Sequence, residues 1–122
     1  MISYVKASRA NIAELCPALQ RLLDRYADVA PAELDLSIIC GHRGEAEQNK
    51  AYAEGKSKAR WPHSAHNATP SRAFDFIPYP FTSWEDRYAF VLRQGALRLV
   101  AAQHGVGLKP LIPWDPGHVE VA

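Results

Sequence analysis

Long apolar runs are missing from this chain, cysteine is scarce, and neither sign of charge dominates. No stretch approaches the ~20 consecutive apolar residues that would span a bilayer, and no membrane association is expected. Lys and Arg number 14 against 13 Asp and Glu, a formal net charge of +1. That balance lacks the basic footprint of a duplex binder, so no nucleic-acid partner is expected. The opening MISYVKASRANIAEL has no basic segment followed by an apolar one, which predicts synthesis in the cytoplasm without a signal peptide. The two cysteines, Cys16 and Cys40, stand among apolar neighbours and read as reduced core thiols. Cys40 as a nucleophile served by His42 is disfavoured, because nothing near it in sequence resembles an oxyanion hole.

What is present suits one compact soluble domain, expected to be monomeric. Its 122 residues are 48% hydrophobic and 22% charged, and a domain of this length buries roughly two thirds of the unfolded chain's surface without disulfides. Metal would therefore serve chemistry rather than folding. There is no repeat, low-complexity tract or linker.

Ser8 as N-cap and Ile12, Leu15, Leu19, Leu22, Leu23 and Tyr26 at helical spacing predict one amphipathic helix ending near Ala30-Pro31. A strand over Leu34 to Cys40 follows, delivering His42 and Arg43 at its exit. Good helix formers from Glu45 to Glu54, stopped by Gly55, predict a short helix. Residues 56–72 read as a long ordered loop, an uncommon feature in compact domains and usually a functional one. Ala73 to Ile77 reads as a strand that sets Asp75 against Phe74 and Phe76. A helix capped by Thr82 or Ser83 runs past Trp84 and Tyr88 to a stop at Gly105, and a last strand covers His118 to Val121. The order implies an α+β fold: a small antiparallel sheet with helices packed mainly on one side.

Three potential metal ligands occupy these segments: His66 in the loop, Asp75 in the strand and His118 at the start of the last strand. Two imidazoles and one carboxylate match the count of a catalytic zinc site, which leaves the fourth position to water. Pro116-Gly117 is turn chemistry that lets Asp115 and His118 face one point. Asp115 is then either a general base beside the ion or a simple turn cap.

The run Ser64-Ala65-His66, then Pro70-Ser71-Arg72-Ala73-Phe74-Asp75, then Ile77-Pro78-Tyr79 resembles the zinc-binding signature of the D-alanyl-D-alanine carboxypeptidase and L-alanyl-D-glutamate endopeptidase family. Within that family it is most similar to the phage endolysin branch. Gly41-His42-Arg43, Gln48, Tyr52, Gly55 and Ser57 upstream and Trp114-Asp115-Pro116-Gly117-His118 downstream extend the likeness from residue 36 to the end. The resemblance implies a hedgehog/D,D-peptidase-like fold, one Zn2+ per chain on His66, Asp75 and His118, and Asp115 as catalytic acid and base. It implies Arg43 as the residue facing the substrate carbonyl or oxyanion, where a fixed guanidinium suits developing negative charge. Ser64, Gln48 and Trp114 would support the ligands or meet substrate.

Three departures from the family pattern stand out, one of them that the base candidate, Asp115, is an acidic residue other than Glu. His66 and Asp75 lie nine positions apart with Pro70-Ser71 between them, the longer form found in the endolysin-like branch. The position before the arginine, usually aromatic, is His42. His63 reads as a loop or groove residue, because Pro62 argues against a helix that would pair it with His66. His104 reads as a charge partner at a helix C-terminus. Lys56, Lys58 and Arg60 read as a solvated basic run, with an anionic wall polymer as the alternative partner; Trp61, Trp84 and Trp114 line a groove or fill the core.

The expected activity is zinc-dependent cleavage of the peptidoglycan stem peptide, foremost at L-alanyl-D-glutamate, on the cell wall after release across the inner membrane. The alternatives are D,D- or L,D-carboxypeptidase activity with the same metal site, or a non-catalytic wall-binding zinc module.

Overall fold

The computed structural model describes residues 2–122. Its elements run α1 (Lys6–Ala13), α2 (Pro17–Val29), β1 (Leu36–Cys40), α3 (Glu45–Ala53), β2 (Ala73–Pro78), α4 (Arg87–Gln103) and β3 (His118–Glu120), with 3-10 turns at Ala32–Leu34 and Ala65–Asn67. The three strands form one antiparallel sheet in the order β1-β2-β3, and the class is α+β.

Alternation along β2 sorts the chemistry from the core. Phe74 and Phe76 are buried together with Leu36 and Ile38 of β1, Val119 of β3, Leu19, Leu22, Leu23 and Tyr26 of α2, and Phe90 and Leu97 of α4. Asp75, between the two phenylalanines, points to the other face. The outer edge of β1 is closed by α1: Ser8 Oγ accepts from Ile38 N at 2.9 Å and Asn11 Nδ2 donates to Ile38 O at 2.7 Å. These side chains satisfy the backbone groups that an edge strand would otherwise expose.

Several boundaries differ from expectation. The single N-terminal helix is two, because Pro17 has no N–H and its ring obstructs the preceding turn, so it opens α2 instead of continuing α1. The break has a use: Cys16 N donates to Ser71 O at 2.8 Å and Ser71 N to Glu14 O at 2.9 Å, tying the long loop to the helices. Ser8 is not an N-cap but a buried residue inside α1. β1 starts at Leu36, since Ala32–Leu34 takes a 3-10 turn. α4 starts at Arg87, capped by Asp86, whose Oδ1 accepts from Ala89 N at 3.3 Å. Thr82 serves that cap by donating to Asp86 Oδ2 at 2.8 Å, and Trp84 lies before the helix.

Gly117 sits where the last loop passes over β2, its carbonyl accepting from Phe76 N at 2.8 Å. A Cβ there would lie 2.6 Å from Phe76 O and 3.2 Å from the Phe90 ring. Gly95, on the exposed face of α4, has nothing within 4 Å of such a Cβ. Gly117→Ala is therefore expected to destabilise the protein by about 1–3 kcal/mol through overpacking. Gly95→Ala is expected to stabilise it by roughly 0.5–1 kcal/mol through helix propensity. Thermal or urea unfolding of the two variants checks the opposite signs.

Candidate functional site

The site begins as a row across the sheet. β1 and β2 pair Ile38 with Phe76 and then, through a bulge, Cys40 with Asp75. β2 pairs Asp75 with His118. Residues directly opposite in an antiparallel pair share a face, so Cys40, Asp75 and His118 stand side by side. The bulge is what removes Ile39 from the place opposite Asp75; Ile39 is exposed at the rim of the cleft.

His66 reaches the same point from the 3-10 turn in the long loop. Ser64 Oγ accepts from His66 N at 3.2 Å and Ser64 N donates to Asn67 Oδ1 at 3.0 Å, which holds the turn closed. Asn67 Nδ2 then donates to Arg43 O and to Gln48 Oε1, and Arg43 N donates to His66 O at 2.8 Å. Sequence reasoning left Asn67 out, although its position three after Ser64 carried the signal of a capping pair.

Asp75 Oδ1 lies 3.2 Å from His66 Nε2 and 3.0 Å from His118 Nδ1. The outer nitrogens face acceptors as well: His66 Nδ1 donates to Gly41 O at 2.7 Å and His118 Nε2 to Glu120 Oε1 at 3.0 Å. Glu120 is held in turn by Lys109 at 2.7 Å. Each ring thus keeps one nitrogen fixed on an outer acceptor and aims the other at a shared carboxylate. A cation placed there would replace the two inner protons, which is the arrangement that imidazole ligands with oriented outer nitrogens require. Glu120 was missed from sequence, although its spacing of two from His118 on one strand was the available signal. Gly41 is needed for its carbonyl's approach, since a Cβ there would fall 2.5 Å from Asn11 O.

The electrostatics follow from this crowding. Burial works against charge on His66, but the Asp75 carboxylate and the Cys40 thiol beside it prevail and raise its pKa to about 10. His118 moves up in the same way: burial opposes, while Asp75 and Glu120 favour the proton. Asp75 is pushed up by burial yet held well below the usual carboxylate range by hydrogen bonds from His118 and His66. Asp115 moves in the opposite direction. Partial enclosure in the cleft and the Asp75 charge raise it, although the residue as a whole is exposed.

Among the described residues two groups have ligand atoms within 4.8 Å of one another, Cys40 with His66 and Asp75, and Asp75 with Asp115 and His118. Asp75 belongs to both, so the structure brings Cys40, His66, His118 and Asp115 around its carboxylate. Cys40 is corrected from a core thiol to a half-buried residue at the site, its Sγ 3.7 Å from both His66 Nδ1 and Arg43 Nη2. Cys16 is half-buried too. Arg43 lines the cleft, but its guanidinium also holds the floor in place: Nη2 is 3.4 Å from Asp75 Oδ2 and Nη1 is 3.0 Å from Gln48 Oε1. Gln48 is fully buried and ties Arg43, Ser57, Ala59 and Asn67 together, which makes it a brace and not a substrate contact.

All of this floors a cleft of about 1080 Å³ whose walls include His63, Trp84, Trp114 and Lys58. The basic run is not simply solvated: Lys58 Nζ sits 4.2 Å over the Trp114 ring, Arg60 stacks on Tyr52 at 4.7 Å, and Lys56 pairs with Glu54 at 3.1 Å. His42 sits apart from the cleft lining, with its backbone N–H on Glu14 Oε1 at 3.0 Å. His104 is the C-terminal cap of α4, and Arg25 Nε donates to its Nε2 at 3.2 Å.

Neither a protein-family profile nor a curated protein matches the chain. Among solved structures, the Serratia marcescens L-Ala D-Glu endopeptidase ChiX superposes with a TM-score of 0.74 over 98% of this chain and 89% of that one, at 23% sequence identity. The two proteins share a fold.

Two expectations follow. With metal chelated away, His66 adds stability that is complete below its unfolded pKa near 6.5 and is lost as pH rises toward about 10. Asp75 adds stability that is complete above its unfolded pKa of 3.8 and is lost below it. The metal-free protein should therefore melt highest between those two unfolded values and progressively lower up to pH 10; a melting temperature that climbs over pH 7–9 would contradict the site's charge pattern. Glu120→Gln should weaken divalent-ion binding by about 10–100-fold through loss of the carboxylate that orients His118, measured by competition with a chromophoric chelator.

Proposed function

We propose that this chain is a zinc-dependent peptidase of the bacterial cell wall that hydrolyses the stem peptide, foremost at L-alanyl-D-glutamate. The observation that carries the proposal is the convergence of His66 Nε2 and His118 Nδ1 on Asp75 Oδ1, at 3.2 and 3.0 Å, in an open cleft that Asp115 also lines. The fold shared with ChiX, an L-Ala D-Glu endopeptidase, supports the choice of substrate. The long His66–Asp75 interval supports the phage endolysin-like branch, acting on the wall after release across the inner membrane.

The donor set suits zinc: two imidazoles with oriented outer nitrogens and one carboxylate on His66, Asp75 and His118, with the cleft side left for water and substrate. When bound, the ion would polarise the scissile carbonyl and make an attacking water more acidic. Asp115 takes that water's proton as the new C–O bond forms, and its raised pKa suits it to hand the proton on. It then protonates the departing nitrogen as the C–N bond breaks. Arg43, already anchored to Asp75, keeps a fixed positive charge in the cleft where the carbonyl oxygen turns negative. Ser64 and Gln48 hold His66 and Arg43 in place.

Digestion of purified muropeptides followed by mass spectrometry should show fragments with a new N-terminal D-glutamate. Loss of terminal D-alanine would instead indicate a carboxypeptidase, and intact muropeptides with metal-loaded protein would reduce the site to a wall-binding zinc module. Asp115→Ala should lower turnover by about 10²–10⁴-fold while zinc stays bound. His66→Ala should lose both zinc and turnover, with metal content read by elemental analysis.

A further inference from the structure

The cleft carries charges of both signs in equal number. Asp75, Asp115 and Glu120 all line it, together with three fixed cations, Arg43, Lys56 and Lys58. Two of those cations are already matched, Arg43 by Asp75 at 3.4 Å and Lys56 by Glu54 at 3.1 Å. Lys58 is exposed, and among the described residues its ammonium forms no ion pair; it rests on the face of Trp114 at 4.2 Å. An indole face attracts the charge but accepts no N–H···O hydrogen bond, so the three donors of Lys58 stay available to a ligand.

Its position says which part of a ligand it would meet. Trp114 immediately precedes Asp115, and the turn that aims Asp115 at the floor is closed by His118 N donating to Asp115 O at 3.1 Å. Lys58 therefore stands on the Asp115 side of the cleft. In the chemistry proposed above, Asp115 is the group that meets the departing nitrogen, so the leaving half of the substrate lies on that side too.

We infer that Lys58, resting on Trp114, is the specificity-determining residue that binds a carboxylate carried on the carbon next to the departing nitrogen. This assignment rests on the peptidase function proposed above and narrows its substrate class. Two sources offer that carboxylate: D-glutamate linked onward through its side chain, whose α-carboxylate is left free, and a terminal D-alanine. Amidation of the carboxylate keeps the shape and removes the charge, so the acid and amide forms of one peptide isolate the contribution of Lys58.

The test uses zinc-loaded protein and two acid/amide peptide pairs. One contains L-alanyl-γ-D-glutamyl-L-lysine and its α-amide; the other ends in D-alanyl-D-alanine or its C-terminal amide. The wild type should cleave one acid form with kcat/KM about 10–100-fold above its amide, the range expected for one charged hydrogen-bonded contact, with the difference mainly in KM. Which pair shows it names the source. Lys58→Met should bring the acid-to-amide ratio to about one, and Lys58→Arg should restore most of it. A calorimetric titration of γ-D-glutamyl-L-lysine and its α-amide into the same proteins gives a readout apart from turnover.

Cleavage by the wild type with the same acid-to-amide ratio in Lys58→Met overturns the assignment and leaves the peptidase standing. Lys58-dependent binding of the acid with no cleavage of any peptide overturns the peptidase and keeps Lys58 as a carboxylate site. Neither cleavage nor an acid preference in binding overturns both.

Discussion

One carboxylate oxygen organises this molecule's chemistry. Asp75 Oδ1 receives His66 from the long loop and His118 from the neighbouring strand, while Oδ2 faces Arg43 from the exit of β1. A half-buried carboxylate is costly unless it is paired and hydrogen-bonded. Here the pairing comes from three separate stretches of chain, so the loop, the sheet and the β1 exit are all fastened to one point. The same demand makes the place attractive to a divalent cation, which can replace the inner imidazole protons without disturbing the outer acceptors.

The scaffold keeps that point rigid by ordinary means. Phe74 and Phe76 anchor β2 in the core on either side of Asp75, so the carboxylate cannot shift without moving two buried rings. Gln48, fully buried and satisfied at both ends of its amide, braces Arg43 against the loop that carries His66. Ser71 Oγ donates to Gly41 O, the same carbonyl that receives His66 Nδ1, so the break between α1 and α2, the loop and the His66 ring are linked through one acceptor. Groups set so firmly would meet an added charge with little reorganisation.

The opposite wall is built differently. Lys58 and Trp114 come from two loops and meet through an exposed cation–π contact, with Trp114 68% exposed. Exposed contacts of this kind are weak and easily exchanged for a stronger partner. The cleft thus joins a fixed floor to an adaptable wall.

Much of this was legible in the chain. Residue type and order alone determined the α+β class, the stretch of β2, the stop at Gly55 and the candidates His66, Asp75, Asp115 and His118, because periodicity, turn chemistry and ligand type are local properties. The break at Pro17 was legible too, yet the helical spacing on either side masked it. Only the tertiary structure decided which groups share an atom. The bulge at Ile39 that sets Cys40 opposite Asp75, the Glu120 carboxylate and the Gly41 carbonyl behind the imidazoles, and the meeting of Lys58 with Trp114 all depend on register and on loops packed across distant sequence. Such contacts arise when the whole chain minimises unpaired polar groups at once, and no local window of residues carries that condition.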